Sequence, residues 1–278
     1  MAKIKKSDRN AVFSRLFGDN IQKAREHVAA LMIALHVGPN ALTFLGVLTT
    51  LLSGWLLALG AGDRVGSGEG KSWYGAAAAY GLILASAFDI LDGAVARNKQ
   101  QITKLGAFLD SCCDRFSDAV IFVGISCYYL RHQEIPFANY YAAAGIAALA
   151  HAEIISYIKA RAENFIDRCP VGYWQRGERI AAILIGLFSG HIATVVVMLA
   201  ILPGFTVLRR LIFAGRQIHR KENNLPPLDP TVPLKGIMRL AWWRYRRGTL
   251  RYDIVTALNI SMILFIDLHS LLKNINTS

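Results

Sequence analysis

The chain has 278 residues, of which 54% are hydrophobic and only 18% charged, and its 31 Lys and Arg outnumber 19 Asp and Glu to leave a net charge of +12. These numbers exclude a disordered chain, a collagen-like repeat and a disulfide scaffold. Soluble domains carry about 25% charged residues, so a shortage of charge beside a basic excess points to apolar bulk in lipid with cations at its margins.

The N-terminal stretch MAKIKKSDRN is basic, but no continuous apolar run and small-residue cleavage site follow it, so no cleaved signal peptide is expected. Between Val12 and Leu35, Phe13, Leu16, Phe17, Ile21, Val28, Leu31, Met32 and Leu35 recur near helical spacing, with Arg15, Lys23, Arg25 and Glu26 off that stripe. This pattern predicts an amphipathic helix at the membrane interface.

A bilayer core takes about 20 mostly apolar residues per helix. Six such segments follow: Ala41 to Ala61, Trp73 to Asp92, Leu105 to Leu130, Phe137 to Lys159, Ile180 to Gly190, and Ile192 to Phe213. The fifth is short unless Arg176 to Arg179 forms its first turn. The expectation is an all-α integral membrane protein with six transmembrane helices. Lys and Arg are concentrated in the N-terminal segment, in the second-to-third and fourth-to-fifth connections, and after Arg209. By the positive-inside rule both termini are then cytoplasmic.

After the last span, Arg216 to Arg251 holds nine Lys or Arg, four prolines and the stretch AWWRYRRGTLRY. This basic extension is suited to anionic headgroups, with Trp242, Trp243 and Tyr245 at the interface; nucleic acid is the poorer match beside membrane spans. The apolar run Ile254 to Ile266 is short for a crossing and reads as another interfacial helix. The domain reading is an N-terminal cytoplasmic or interfacial helix (1–37), a six-helix membrane domain (38–213) and a basic C-terminal extension (214–278). Cys112, Cys113, Cys127 and Cys169 form no CxxC pair, so neither a disulfide framework nor a zinc site is expected.

Ionisable residues inside a span are costly and mark function by default. Asp89 and Asp92 lie three apart at the end of the second span, and Asp110 and Asp114 four apart near the start of the third. Each spacing sets its pair on one helix face, and the short connection makes the two helices antiparallel neighbours, so the four carboxylates can converge. Such a group repels itself unless cations neutralise it. Hard divalent ions suit an all-oxygen site, and two would balance four negative charges.

The residues Asp89, Asp92, Gly93, Ala96 and Arg97, followed after eight residues by Gly106, Asp110 and Asp114, resemble the DxxDGxxARx8GxxxDxxxD signature of the CDP-alcohol phosphotransferases. The resemblance covers about Gly38 to Phe213. It implies a six-helix membrane enzyme that joins a CDP-linked lipid to an alcohol acceptor, releases CMP and commonly forms homodimers. Carried over by position, Asp89, Asp92, Asp110 and Asp114 bind Mg2+ or Mn2+, two ions in all, and Asp114 is also the general base. Gly38, Pro39, Asn40, Ala41, Gly93, Arg97 and Thr103 contact the CDP-lipid.

Ile155 to Glu163, Asp110 to Asp118 and Arg176 to Arg179 further resemble bacterial phosphatidylinositol-phosphate synthases. That likeness implies CDP-diacylglycerol and inositol 1-phosphate as substrates, with Ser156, Lys159, Arg179 and Arg210 holding the acceptor phosphate. Glycerol 3-phosphate, as in a phosphatidylglycerophosphate synthase, needs a similar basic pocket. A transporter with an intramembrane Asp site is the alternative of a different class, although no inverted repeat accompanies the aspartates.

Overall fold

The computed structural model of the chain describes residues 26–62, 73–98, 103–228 and 250–266, and all regular structure among them is helical. Helix α1 (residues 26–34) leads into α2 (Pro39–Gly60), α3 (Tyr74–Asn98), α4 (Lys104–Arg131), α5 (Ala138–Ala162), α6 (Arg176–Ser189), α7 (Ile192–Glu222) and α8 (Leu250–Phe265). The part of the expected N-terminal helix before residue 26 and the aromatic-basic stretch within 229–249 lie outside the described residues.

Local chemistry sets the helix ends. Pro39 begins α2, where its missing N–H costs nothing. Thr103 caps α4 by accepting from the Gly106 amide at 3.0 Å. The left-handed Gly190, at φ 73°, closes α6 and lets α7 start two residues later. Helix α6 begins at Arg176, so Arg176 to Arg179 forms the first turn of the short fifth segment.

Helices α2 to α7 close into a ring in which α3 packs on α2, α2 on α4, α4 on α5, α5 on α7, α7 on α6 and α6 back on α3. In lipid no hydrophobic drive separates helix from tail, so close backbone approach carries the association. Glycines supply it: a Cβ on Gly54 would sit 2.9 Å from the Val120 carbonyl oxygen, and one on Gly124 would run into the Gly54 carbonyl. The buried core includes Leu57, Leu82, Ile121, Ile125, Tyr141, Ile183 and Val195, while Phe44, Leu48, Leu52, Trp55 and Ile83 face outward. This outward apolar surface is what a membrane protein presents to lipid.

Four helices, α2, α3, α5 and α7, are long and apolar enough to cross a membrane on length and composition alone. The other two members of the ring fall short for a reason tied to the site. The first half of α4 carries Asp110, Asp114, Arg115 and Asp118, and the 14-residue α6 opens on Arg176, Glu178 and Arg179.

Helix α8 does not lie across an end of the ring. Its first turn meets that of α6, where Tyr252 Oη donates to Glu178 Oε1 at 2.7 Å, and at its far end Thr194 Oγ1 donates to the Ile266 carbonyl at 2.8 Å. It therefore runs beside α6 in the same direction. Val255, Asn259 and Ile263, four apart, form its buried face, and Ile254, Leu258 and Phe265 point away.

Candidate active site

The starts of α2, α4 and α6 and the ends of α3, α5 and α7 meet at one end of the ring. Helices α3 and α4 both pack on α2 rather than closely on each other, and between them opens a cleft of about 740 Å³. Its walls include Pro39, Asn40, Asp89, Asp92, Gly93, Arg97, Thr103, Asp110 and Asp114. Gly38 and Ala41 flank Pro39 and Asn40 without lining it. Two helix N-termini, those of α2 and α4, open into this cleft, where their free N–H groups and dipoles favour an anion.

One oxygen from each of Asp89, Asp110 and Asp114 lies within 4.8 Å of the others. Asp92, expected in the same cluster, lies outside this group. Its Oδ2 accepts from Thr43 Oγ1 at 2.6 Å, and only 7% of the residue is exposed. Thr43 is also 3.1 Å from the Pro39 carbonyl, but a hydroxyl has one hydrogen, and the shorter contact to Asp92 takes it. The helix that opens the site thus anchors one of its four carboxylates.

A guanidinium pairs with two of the three clustered carboxylates. Arg176 NH1 is 3.1 Å from Asp89 Oδ2 and forms an ion pair with Asp114, and its Nε is 3.9 Å from Asp118 Oδ1. Asp118 in turn pairs with Arg179, whose other contact is to the Trp174 carbonyl at 3.2 Å. Sequence reasoning passes over Arg176, Asp118 and Thr43. Asp118 continues the four-residue stripe of Asp110 and Asp114, a signal present in the sequence; Arg176 shares its segment with Arg179 and reads as one more cation flanking a span.

The four residues expected to hold an acceptor phosphate are placed differently from one another. Lys159 is exposed in the last turn of α5, with Ser156 half-buried one turn earlier. Arg179 and Arg210 are 2% and 4% exposed. Arg210 donates through Nε to the Val171 carbonyl at 2.8 Å and through NH1 to the Ile155 carbonyl at 2.6 Å, stitching α7 to α5 and to the α5–α6 loop. Both guanidiniums thus have protein partners, as buried charges must.

The donor set fits a hard divalent cation: three carboxylate oxygens converge, with no nitrogen or sulfur ligand among them. Three negative charges against one guanidinium leave two, the charge of one such ion.

A family model described as CDP-alcohol phosphatidyltransferase matches residues 36–217. Among curated relatives, the archaetidylinositol phosphate synthase of Methanothermobacter thermautotrophicus is 36% identical, over 60% of this chain and 82% of its own. The phosphatidylinositol phosphate synthase of Corynebacterium glutamicum is 35% identical, over 73% of this chain and 89% of its own. Crystal structures of the Mycobacterium tuberculosis phosphatidylinositol phosphate synthase superpose with TM-scores of 0.59 with CDP-DAG bound and 0.58 in complex with manganese and citrate. They are 26% and 25% identical to this chain, and cover 69% and 78% of it and 94% and 99% of their own length. An acidic cleft at one end of a helical ring, in a segment that this family's pattern spans almost from end to end, makes the chain a transferase of the CDP-alcohol phosphatidyltransferase family.

Proposed function

We propose that the chain transfers a phosphatidyl group from CDP-diacylglycerol to a hydroxyl of inositol 1-phosphate, giving a phosphatidylinositol phosphate and CMP. The observation that carries this reading is the meeting of Asp89, Asp110 and Asp114 at the wall of a cleft lined by the rest of the signature. The relatives named above share an inositol phosphate product and differ in the lipid half, phosphatidyl or archaetidyl. That agreement supports the acceptor more strongly than the tails of the donor.

In this reading the α2 and α4 N-termini, with Asn40, Arg97 and Thr103, seat the CDP-lipid. Asp89, Asp110 and Asp114, joined by Asp92, hold Mg2+ or Mn2+, two ions when all four carboxylates contribute. Bound there, the ions supply positive charge to the pyrophosphate oxygens and to the departing CMP. Asp114 takes the acceptor hydroxyl proton as the new P–O bond forms, and the bond between phosphorus and the CMP oxygen breaks. Lys159 and Ser156 receive the acceptor phosphate at the α5 end, with Arg179 and Arg210 behind them.

All six ring helices cross the membrane, with the active site and N-terminus on the cytoplasmic side, where the basic connections lie. Residues 1–37 and the basic part of 214–278 sit at that surface. The protein works as a homodimer in the bilayer, which cross-linking in native membranes tests.

The deciding assay is CMP release by purified enzyme given CDP-diacylglycerol with inositol 1-phosphate, glycerol 3-phosphate, inositol or serine, with and without added metal. Metal-dependent release with inositol 1-phosphate is expected. Release with glycerol 3-phosphate alone would move the chain to the phosphatidylglycerophosphate synthases, and release only with inositol or serine would remove the phosphate pocket.

A further inference from the structure

Helix α8 lies beyond the segment matched by the family pattern, which ends at residue 217, yet its first two turns make polar contacts with the start of α6, which carries Arg176 and Arg179, and with Tyr173 just before it. That turn, the first of α6, has no side-chain hydrogen bond from its cap residue Gln175. Its position must come from tertiary partners. Arg176 points from it to Asp89 and Asp114, and Arg179 to Asp118. From the same turn Glu178 turns to α8 and accepts from Tyr252 at 2.7 Å.

Just before the turn, Tyr173 Oη is 2.9 Å from Thr256 Oγ1. The direction of this bond follows from counting hydrogens. Thr256 already donates its one hydroxyl hydrogen to the Tyr252 carbonyl at 2.9 Å, so Tyr173 is the donor. The Tyr173 and Tyr252 rings lie 5.3 Å apart, centre to centre, and close the seam. Gly172, at φ 112°, starts this stretch in a conformation that only glycine takes without strain, so the chain between α5 and α6 is shaped to present Tyr173 to α8.

We infer that α8 is a positioning element for the acceptor end of the active site, acting through Tyr252 on Glu178 and through Thr256 on Tyr173 to hold the first turn of α6 and, with it, Arg179 against Asp118. Tyr252 and Thr256 contact Glu178 and Tyr173 rather than the carboxylates, which makes them positioning residues. The inference rests on the proposed phosphorylated acceptor, whose binding face α6 would then share with α5.

The test is the full-length double variant Tyr252→Phe, Thr256→Val, which removes both hydrogen bonds and keeps ring and volume. Two readouts separate the brace from the function. Hydrogen exchange in detergent should speed up about tenfold or more across residues 173–180 and stay unchanged in α5, and this readout needs no substrate. In the CMP-release assay the KM for inositol 1-phosphate should rise about five- to tenfold, as loss of two hydrogen bonds at a distance from the ligand allows, with kcat and the KM for CDP-diacylglycerol within twofold. Unchanged exchange at 173–180 overturns the brace. Faster exchange with an unchanged acceptor KM overturns its role in acceptor positioning, as does a parallel fall in all kinetic constants together with the thermal midpoint. If wild-type enzyme releases no CMP with any phosphorylated polyol, the functional reading fails while the exchange comparison still decides the brace.

Discussion

Arg176 contacts two of the three carboxylates that would hold a divalent cation, so replacing it by Gln should tighten metal binding rather than weaken it. In the described state the guanidinium contacts Asp89 and Asp114, whose side chains are 37% and 30% exposed, and is itself 28% exposed. A hydrogen bond between charged groups contributes about 1.5–3 kcal/mol when well shielded, and partial exposure brings each contact down to about 1–1.5 kcal/mol. Two contacts then give about 2–3 kcal/mol that an incoming ion must displace. At about 1.4 kcal/mol per factor of ten, removing this competitor should lower the Mn2+ dissociation constant by about thirty- to one-hundredfold. Mn2+ titration followed by electron paramagnetic resonance, on detergent-purified wild type and Arg176→Gln, measures the shift directly. Arg176→Lys, which keeps the charge, should stay nearer wild type. Without metal the Gln variant should melt earlier, because Asp89 and Asp114 lose their counter-charge. An unchanged or weaker Mn2+ affinity in Arg176→Gln would refute the reasoning and mean that the arginine and the ion do not compete for the same carboxylates.

Asp114→Asn should cut CMP release by about a thousandfold or more while leaving elution and melting in detergent near normal; near-normal turnover would remove Asp114 as the base. Asp118→Asn strips the counter-charge from an Arg179 that is 2% exposed and should cost about 3 kcal/mol in thermal unfolding, with partial recovery in the Asp118→Asn, Arg179→Met double variant. Gly124→Ala pushes a methyl group into the Gly54 carbonyl and should sharply reduce the yield of folded protein, whereas Gly177→Ala, with open space around the added carbon, should not. Equal yields for both would mean that the α2–α4 seam can spread.

The spans that announce themselves in the sequence are those whose site residues leave a long apolar run uninterrupted. Helices α2 and α7 have continuous apolar runs, and their bounds differ from expectation mainly where α7 runs on past Phe213 into polar residues. Helix α6 is hardest to read because its first turn serves the site, and Arg176 and Arg179 interrupt the apolar signal that would mark a span. The carboxylates were visible from spacing alone, since three- and four-residue intervals fix a helix face whatever the packing. What spacing does not contain is a side chain's choice of partner. Asp92 faces the site as its register demands, but Thr43, 49 residues earlier, takes its carboxylate. Likewise Arg179 and Arg210 carry the expected charge, yet the buried backbone carbonyls of Trp174, Ile155 and Val171 depend on them. The ring order is also absent from the pattern, because it depends on which glycines meet.

The course of α8 beside α6 also bears on how many times the chain crosses the membrane. Sixteen residues rise about 24 Å, close to the roughly 21 Å of the fourteen-residue α6. With Ile254, Leu258 and Phe265 turned outward, the helix is apolar on its free side as well as its packed one. The nine cations of Arg216 to Arg251 precede it and a single lysine, Lys273, follows it, a charge asymmetry that would set its direction if it crosses the bilayer with the ring. Such a crossing would make the number of spans odd and set the C-terminus opposite the N-terminus, against the expectation of two cytoplasmic termini; an epitope placed after Ser278 decides, being reached from outside intact cells if α8 crosses and only from inside if it does not.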